Sequence, residues 1–195
     1  MASLPMVAGG GSYTSLGQPE LLDLTCNVTS SSYSVSANGT YLLVAIARPA
    51  DITNSTGNYI YYDKTSGGYN RTITVMIATL SNGDSVSFTG TGNPIFAVYK
   101  LSSFHIASTY TKLYAGAAET SQTQTITCDD TKKYFFIAGS AIGTVAVTGY
   151  NVGKPTSGNY RISAEYIADY DKEYTKFAKA SDSWNVVGLS VIQFS

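Results

Sequence analysis

The chain has 195 residues, of which 13% are charged and 44% are hydrophobic, and its formal net charge is −1. The charged fraction is about half the usual 25% and shows no positive excess, which argues against nucleic-acid binding. No stretch approaches the ~20 apolar residues that span a bilayer, and residues 1–11 lack Lys and Arg. We therefore expect neither a membrane segment nor a secretory signal.

The residues that replace the missing charge predict an all-β protein. Ser, Thr, Asn, Gly and Tyr are abundant, with 18 Gly and 16 Tyr in the chain. Ser, Thr and Gly are poor helix formers, whereas this mixture is typical of short strands joined by tight turns.

Residues 1–20 form a glycine-rich lead that contains Gly9, Gly10 and Gly11. Such a segment has no core of its own, and glycine has the largest entropy cost on ordering. We expect an extended N-terminal arm that becomes ordered against a neighbouring subunit.

Strand patterns begin after this arm. Alternation of apolar and polar residues, or short apolar runs, predict the first set of strands at residues 21–26, 33–37, 41–46, 59–62, 73–77, 86–88 and 95–101. Residues 41–46 are apolar throughout, which is typical of a central strand buried on both faces. Asn82-Gly83 separates two alternating segments and predicts a hairpin, because both residues accept a positive φ.

The segment 51–68 is polar and rich in turn formers, and it carries Tyr59, Tyr61 and Tyr62. One interpretation places these tyrosines at a sheet rim, with the ring half-buried and the hydroxyl in water. The other makes them a contact surface, since tyrosine is enriched at interfaces. We take all three as candidate contact residues.

The second half of the chain repeats the order of the first. Its predicted strands lie at residues 110–114, 124–127, 133–138, 144–148, 160–170, 174–178 and 186–194. The offset between the copies is nearly constant: Tyr134 follows Tyr41 by 93 residues (134 − 41), and Phe194 follows Leu101 by 93 (194 − 101). A duplicated β-sandwich is therefore expected, with a first domain at 21–103 and a second at 104–195.

Arg71 and Arg161 stand in similar surroundings in the two copies, 90 residues apart (161 − 71). A functional interpretation makes them a repeated ligand or subunit contact. The alternative is an arginine at a strand end that packs over an aromatic neighbour, such as Tyr69 or Tyr160. Both residues remain candidates for a contact surface.

The first half resembles the C1q and tumour-necrosis-factor type of jelly roll. In that family a Gly-x-Tyr enters a core strand and a Gly-Asp-x-Val hairpin precedes the last strands; the corresponding residues here are Gly39, Tyr41, Gly83, Asp84 and Val86. The second half keeps Tyr134 but lacks the Gly-Asp hairpin. The resemblance implies two tandem jelly-roll-like β-sandwiches.

The glycine-rich lead and the tandem low-charge sandwiches also resemble small virion proteins of tailed bacteriophages, such as head decorations, fibres and tail accessories. This resemblance implies a non-enzymatic assembly role in the virion, with copies of the chain or other virion proteins as partners, after synthesis in the host cytoplasm. The alternative is a glycan- or receptor-binding module, in which tyrosines of residues 51–68 stack on the rings of a host-surface glycan.

Residues for catalysis or metal binding are scarce. His105 is the single histidine, which excludes Ser-His-Asp, Cys-His and multi-histidine metal sites, and we expect it to be structural. Asp169, Asp171 and Glu173 alternate, which could place three carboxylates on one strand face or in one calcium-binding loop. The nearby lysines favour a solvated strand end instead. We expect no cofactor and no metal, and the two cysteines, Cys26 and Cys128, are expected as free thiols.

Overall fold

The computed structural model describes residues 17–129, 131–141, 146–147, 152–153, 160–168, 172–179 and 186–195. Several residues named from the sequence lie outside this part: Gly9, Gly10, Gly11, Asp169 and Asp171. Strands dominate the rest, and the helical content of the described residues is two 3-10 turns, Gly68–Asn70 and Ser103–His105. The all-β class predicted from the composition is confirmed.

Eight strands form the first half: β1 (Glu20–Cys26), β2 (Ser30–Ser34), β3 (Gly39–Ala47), β4 (Ala50–Asn54), β5 (Tyr61–Ser66), β6 (Thr72–Leu80), β7 (Ser85–Gly90) and β8 (Ile95–Leu101). They build a five-stranded sheet in the order β1-β8-β3-β6-β5 and a three-stranded sheet in the order β2-β7-β4. Every pairing is antiparallel. This order is a jelly-roll-like sandwich in which β5 has joined the larger sheet.

Eight further strands form the second half: β9 (Tyr110–Ala118), β10 (Ser121–Cys128), β11 (Lys133–Ala141), β12 (Ala146–Val147), β13 (Val152–Gly153), β14 (Arg161–Ala168), β15 (Lys172–Lys179) and β16 (Val186–Phe194). Their sheets run β9-β16-β11-β14-β13 and β10-β15-β12. Adding eight to each strand number of the first half gives these two orders, so the duplication read from the sequence is also a duplication of topology.

The four sheets stack in four layers, with the two five-stranded sheets in the middle. One buried cluster joins the facing surfaces of these two sheets. Each five-stranded sheet also shares one smaller buried cluster with its three-stranded partner. Strand β3 shows the consequence, because Leu42 and Val44 face the central cluster while Tyr41 and Leu43 face the outer one. The apolar run at 41–46 is thus buried on both faces, as the sequence predicted.

The boundary between the halves is a packed segment. The proposed join near residue 103 coincides with the 3-10 turn Ser103–His105. His105 is 0% exposed, and its ring contacts Tyr166 of β14 at 4.6 Å between centroids. The halves therefore share a core and are also held together at their junction.

Two glycines let the central sheets approach each other. Gly139 and Gly188 are directly paired in the second half, and they face Ile46 and Ile73, which are paired in the first. A Cβ atom on Gly139 would lie 2.6 Å from Cδ1 of Ile46, and one on Gly188 would lie 2.9 Å from Cβ of Ile73. The isoleucines are knobs and the glycine pair is the hole that receives them.

This fit is unequal between the copies. With the offset of 93 set by Tyr41 and Tyr134, Ile46 corresponds to Gly139 (46 + 93) and Ile95 to Gly188 (95 + 93). The positions of Ile46 and Ile95 in the first copy are therefore glycines in the second. Close packing between unlike faces is the result.

Three details of the sequence prediction are corrected by the structure. Asn82-Gly83 does form a turn, with Gly83 at φ +94°, but it connects β6 and β7, which belong to different sheets, and is not a hairpin. Strand β2 occupies Ser30–Ser34 instead of 33–37, and β4 was not predicted. Both strands lack a continuous apolar signal, because the outer sheets expose one face to water.

Candidate contact surfaces

The five residues expected on a contact surface do not form one surface. Tyr59 is 57% exposed, whereas Tyr61 is 8% exposed and Arg71 is 0% exposed. Tyr62 and Arg161 are half-buried. The structure brings Tyr59 and Tyr62 together and places the other three elsewhere.

Tyr61 belongs to the central core between the two large sheets. Its ring lies 6.5 Å, between centroids, from that of Tyr110 on β9. Burial raises the pKa of its hydroxyl, and the nearby carboxylate of Asp63 raises it further. In this fold the side chain holds the two halves together and is not presented to a ligand.

Tyr59 and Tyr62 form an aromatic pair on the surface, with ring centroids 5.4 Å apart. The hydroxyl of Tyr62 donates to Oδ1 of Asp51 at 2.9 Å, and Nζ of Lys64 lies 2.8 Å from Oδ2 of the same carboxylate. Although burial favours the neutral form of Asp51, the hydrogen bonds from Lys64 and Tyr62 hold its pKa below the usual range. Burial and the same carboxylate raise the pKa of Tyr62 to about 12.

A tight turn directly before Tyr59 positions this tyrosine next to Tyr62. Oδ1 of Asn54 accepts the backbone N–H groups of Thr56 and Gly57 at 3.0 and 2.9 Å, and Nδ2 donates to the carbonyl of Asn58 at 2.9 Å. An asparagine that replaces backbone partners in this way fixes the turn. The exposed ring therefore follows a hydrogen-bonded turn.

Arg71 connects the halves from a buried position. Its Nη1 donates to Oε1 of Glu119 and to the carbonyl of Gly68, both at 2.9 Å. Its Cζ lies 4.9 Å from the ring centroid of Tyr69, which is the aromatic packing that the alternative interpretation expected. Glu119 lies between β9 and β10, so this ion pair ties the first half to the second.

Arg161 does not occupy the equivalent position. It lies opposite Ser140 in the β11–β14 ladder, whereas Thr72 lies opposite Ala47 in the β3–β6 ladder. Ser140 and Ala47 correspond, since 140 − 134 = 47 − 41 = 6, so Arg161 corresponds to Thr72. Successive side chains alternate between the faces of a sheet, so a shift of one residue places a side chain on the other face. Arg71 and Arg161 therefore do not form a repeated site.

Sheet edges are the other surfaces available for association. An edge strand presents unpaired N–H and C=O groups, which charged residues, Pro or bulges normally protect from pairing with another chain. The edge strand β1 carries Glu20 and Asp23 and has a bulge between Leu21 and Asp23. The edge strand β9 carries Lys112 and has a register shift where it pairs with β16.

The outer sheets differ, because one edge strand in each of them has none of these protective features. Strand β2 has the sequence SSSYS and β10 has SQTQTITC, without a charged residue, a proline or a register shift in either ladder. Among the described strands that end a sheet and exceed two residues, only these two have this property: β4 carries Asp51, and β5 carries Asp63 and Lys64. The absence of charge in these segments is visible in the sequence, but the edge positions are not.

The free hydrogen-bonding groups of β2 can be assigned to particular residues. Val35 bonds through both its N–H and its C=O to the turn before β7, and the carbonyl of Thr29 accepts from Gly90 at 2.9 Å. Backbone groups alternate in direction along an antiparallel strand. Those of Ser30, Ser32 and Ser34 therefore point away from β7, toward the open side of the sheet.

The two unprotected edges lie on opposite sides of the molecule. In the first half, β4 packs against β3 and β6 of the five-stranded sheet. Strand β2 lies at the other end of the three-stranded sheet, beyond β7, and is therefore on the side of the five-stranded sheet where β1 forms the edge. Strand β10 packs under β9 and β16. Because β9 lies beside β5, at the edge of the first large sheet opposite to β1, β2 and β10 face away from each other.

Other kinds of site receive less support. Within the described ranges, no group of three or more His, Cys, Asp or Glu is arranged to bind a metal ion. Those ranges also contain no helical segment with the length and hydrophobicity to span a bilayer. Comparison with protein-family models, with curated proteins and with solved structures gives no match to this chain.

Proposed function

We propose that this chain is a non-enzymatic structural protein of a bacteriophage-type virion, which assembles by pairing its outer edge strands β2 and β10 with neighbouring subunits. The observation that carries the proposal is the contrast between these uncharged, regular edges and the charged or bulged edges of the other strands. Unprotected edges invite strand addition in a soluble protein. A protein whose function is assembly uses that property.

Strand addition also explains why few charges are needed. In β-augmentation the main-chain hydrogen bonds provide affinity, and the alternate side chains provide specificity. The outward backbone groups of Ser30, Ser32 and Ser34 supply such bonds in β2.

Two such edges on opposite sides make the subunit bivalent. Pairing of β2 with β2 and of β10 with β10 gives a chain of alternating two-fold contacts, and pairing of β2 with β10 gives a ring or a helix. Copies of the chain are therefore the first partners expected, in the setting of a virion. The glycine-rich arm, with Gly9, Gly10 and Gly11, is proposed to order against a neighbouring subunit.

The test uses two substitutions at one position. Ser32→Pro removes an N–H that points to the open side, while it leaves the bonds to β7 in place. Ser32→Ala keeps that N–H and is the matched control. Light scattering over a range of concentrations should show association for the wild type and for Ser32→Ala, and a smaller assembly for Ser32→Pro. Equal masses for the two variants would contradict strand pairing through β2.

A glycan- or receptor-binding module is the second candidate, and the exposed Tyr59 beside Tyr62 favours it. An exposed ring beside a hydrogen-bonded turn offers a face for stacking on a sugar, and Asp51 and Lys64 offer hydrogen bonds to its hydroxyls. Tyr59→Ala should then abolish binding on a glycan array, whereas Tyr61→Ala is unsuitable because Tyr61 is a core residue. Absence of binding at millimolar sugar would contradict this role.

A further inference from the structure

A strained turn at Gly68–Asn70 follows β5, next to the ion pair between Arg71 and Glu119 that connects the two halves. Tyr69 and Asn70 have φ of +56° and +58°, in a region that side chains other than glycine rarely adopt. Two such residues in succession are unusual, and strain of this kind persists only where the surroundings impose it.

The turn places an exposed aromatic ring over a buried cation. Tyr69 is 72% exposed and Arg71 is 0% exposed. The Cζ atom of Arg71 lies 4.9 Å from the centroid of the Tyr69 ring. The guanidinium carbon therefore lies over one face of the ring, while most of the tyrosine is exposed to solvent.

Two of the three nitrogens of the Arg71 guanidinium lack a partner in the described part of the chain. Nη1 of Arg71 binds Glu119 and the carbonyl of Gly68, but Nε and Nη2 are buried and have no hydrogen-bond partner among the described residues. Unpartnered donors on a buried charged group are costly, and such groups in native proteins call for an explanation. Nε and Nη2 form the edge of an arginine that holds two carboxylate oxygens at once.

The charges around this edge also favour an anion. Arg48 lies close enough that, in addition to burial, repulsion from Arg71 lowers the pKa of its guanidinium, while Glu119 acts in the opposite direction. A second guanidinium therefore lies within electrostatic reach of Arg71. Glu119 is itself 32% exposed and bonds only the Nη1 side.

We propose that the Nε–Nη2 edge of Arg71 binds the carboxylate of an acidic sugar, with the Tyr69 ring packing against the apolar face of that sugar. The bond is bidentate, from Nε and Nη2 to the two carboxylate oxygens. Because Nε and Nη2 are buried, entry of the ligand requires a local displacement of the turn that carries the exposed Tyr69. This site goes beyond the proposed assembly role and lies on residues that β2 and β10 do not include.

The second half offers a natural control. Arg161 is half-buried at the start of β14 and corresponds to Thr72, so it lacks the strained turn and the surroundings of Arg71. Arg161→Lys should therefore leave binding unchanged. Arg71→Lys keeps the positive charge but loses the two-donor edge.

Calorimetric titration with sodium glucuronate, methyl glucoside, sodium acetate and inorganic phosphate tests the site. The wild type should bind glucuronate more tightly than acetate and should not bind methyl glucoside. Arg71→Lys should weaken glucuronate binding by about tenfold or more, the effect of losing about 1.4 kcal/mol, and Tyr69→Ala should reduce glucuronate binding to the level of acetate. Arg161→Lys should bind as the wild type does.

Three results would overturn the proposal: no glucuronate binding by the wild type, equal binding by Arg71→Lys, or a response to phosphate as strong as that to glucuronate. Acetate bound as tightly as glucuronate would restrict the ligand to a simple or peptide carboxylate and overturn the sugar assignment. If Arg71→Lys does not fold, the Nε–Hε resonance of Arg71 in the wild type serves instead. It should shift on addition of glucuronate and stay unchanged with methyl glucoside, and a resonance unaffected by glucuronate would contradict the proposal.

Discussion

His105 shows how one buried side chain couples stability to pH. The backbone N–H of Ser102 donates to its Nδ1 at 3.1 Å, and the rings of Phe135 and Tyr166 lie 5.3 and 4.6 Å away. Burial lowers the pKa of the imidazole to about 4, from an ordinary 6.5; a hydrogen bond to the backbone of Gly17 opposes this shift. The folded protein therefore holds this histidine neutral.

Acid should weaken the fold through this residue. Between pH 6.5 and pH 4 the unfolded chain binds a proton at His105 that the folded chain does not, so stability falls as the pH falls. The loss amounts to about 3 kcal/mol by pH 4, at about 1.4 kcal/mol per pH unit. Urea unfolding at pH 7.5 and 4.5 measures it, and His105→Asn should show a smaller difference between the two conditions. The same difference in both proteins would remove His105 from the account.

A second buried pair lies inside the outer core of the second half. Nζ of Lys176 is 2.6 Å from Oε2 of Glu165, and Lys176 is 7% exposed. Burial raises the pKa of Glu165, and Lys176 opposes that effect. The position of Glu165 opposite Phe136 corresponds to that of Met76 opposite Leu43, so the first copy is apolar where the second is charged.

Breaking this pair should cost more than replacing it. Lys176→Met leaves a buried carboxylate alone and should destabilise the protein at neutral pH by about 3–5 kcal/mol. The double variant Glu165→Met/Lys176→Met, which copies the apolar residue of the first half, should recover most of that loss. Chemical denaturation of the three proteins provides the comparison. A double variant less stable than Lys176→Met would mean that the pair contributes more than its desolvation costs.

At the scale of elements, most strands follow from pattern, and the exceptions have a physical reason. The central strands are apolar on both faces, so β3, β8, β11 and β16 are predicted directly from the sequence. Strand β4 has no apolar run in the sequence because only one of its faces is buried, with Ile52 inside and Thr53 in water. Asn82-Gly83 indicates a turn, but local sequence does not determine whether the strands on either side pair with each other.

The glycine pair makes the packing of the central sheets testable. A Cβ on Gly188 would meet Cβ, Cγ1 and Cδ1 of Ile73 within 3.4 Å. Gly188→Ala should therefore destabilise the protein by about 1–3 kcal/mol, as overpacking does. A Cβ on Gly68 would have no neighbouring atom within 4 Å, and Gly68→Ala is therefore the matched control. Thermal unfolding should separate the two variants, and equal midpoints would contradict close contact between the halves.

At the scale of the molecule, the duplication was readable and its packing was not. The order of strands and turns predicted two copies of one plan, but nothing in the pattern indicated that the second covering layer of each large sheet is the other half. The exposure of the candidate contact residues likewise depends on how the two halves pack. Tyr59, Tyr61 and Tyr62 are close in sequence, and only the position of the second half separates the exposed Tyr59 from the buried Tyr61. The unprotected edges likewise depend on the order of strands within each sheet.

Hydrogen exchange at low and high protein concentration tests the assembly of these edges most directly. We expect slower amide exchange at high concentration in β2 and β10, at Ser30–Ser34 and Ser121–Cys128, and unchanged exchange in the charged edges β1 and β5. Exchange that is independent of concentration in both β2 and β10, or slowed only in β1 and β5, would contradict assembly through the outer sheets.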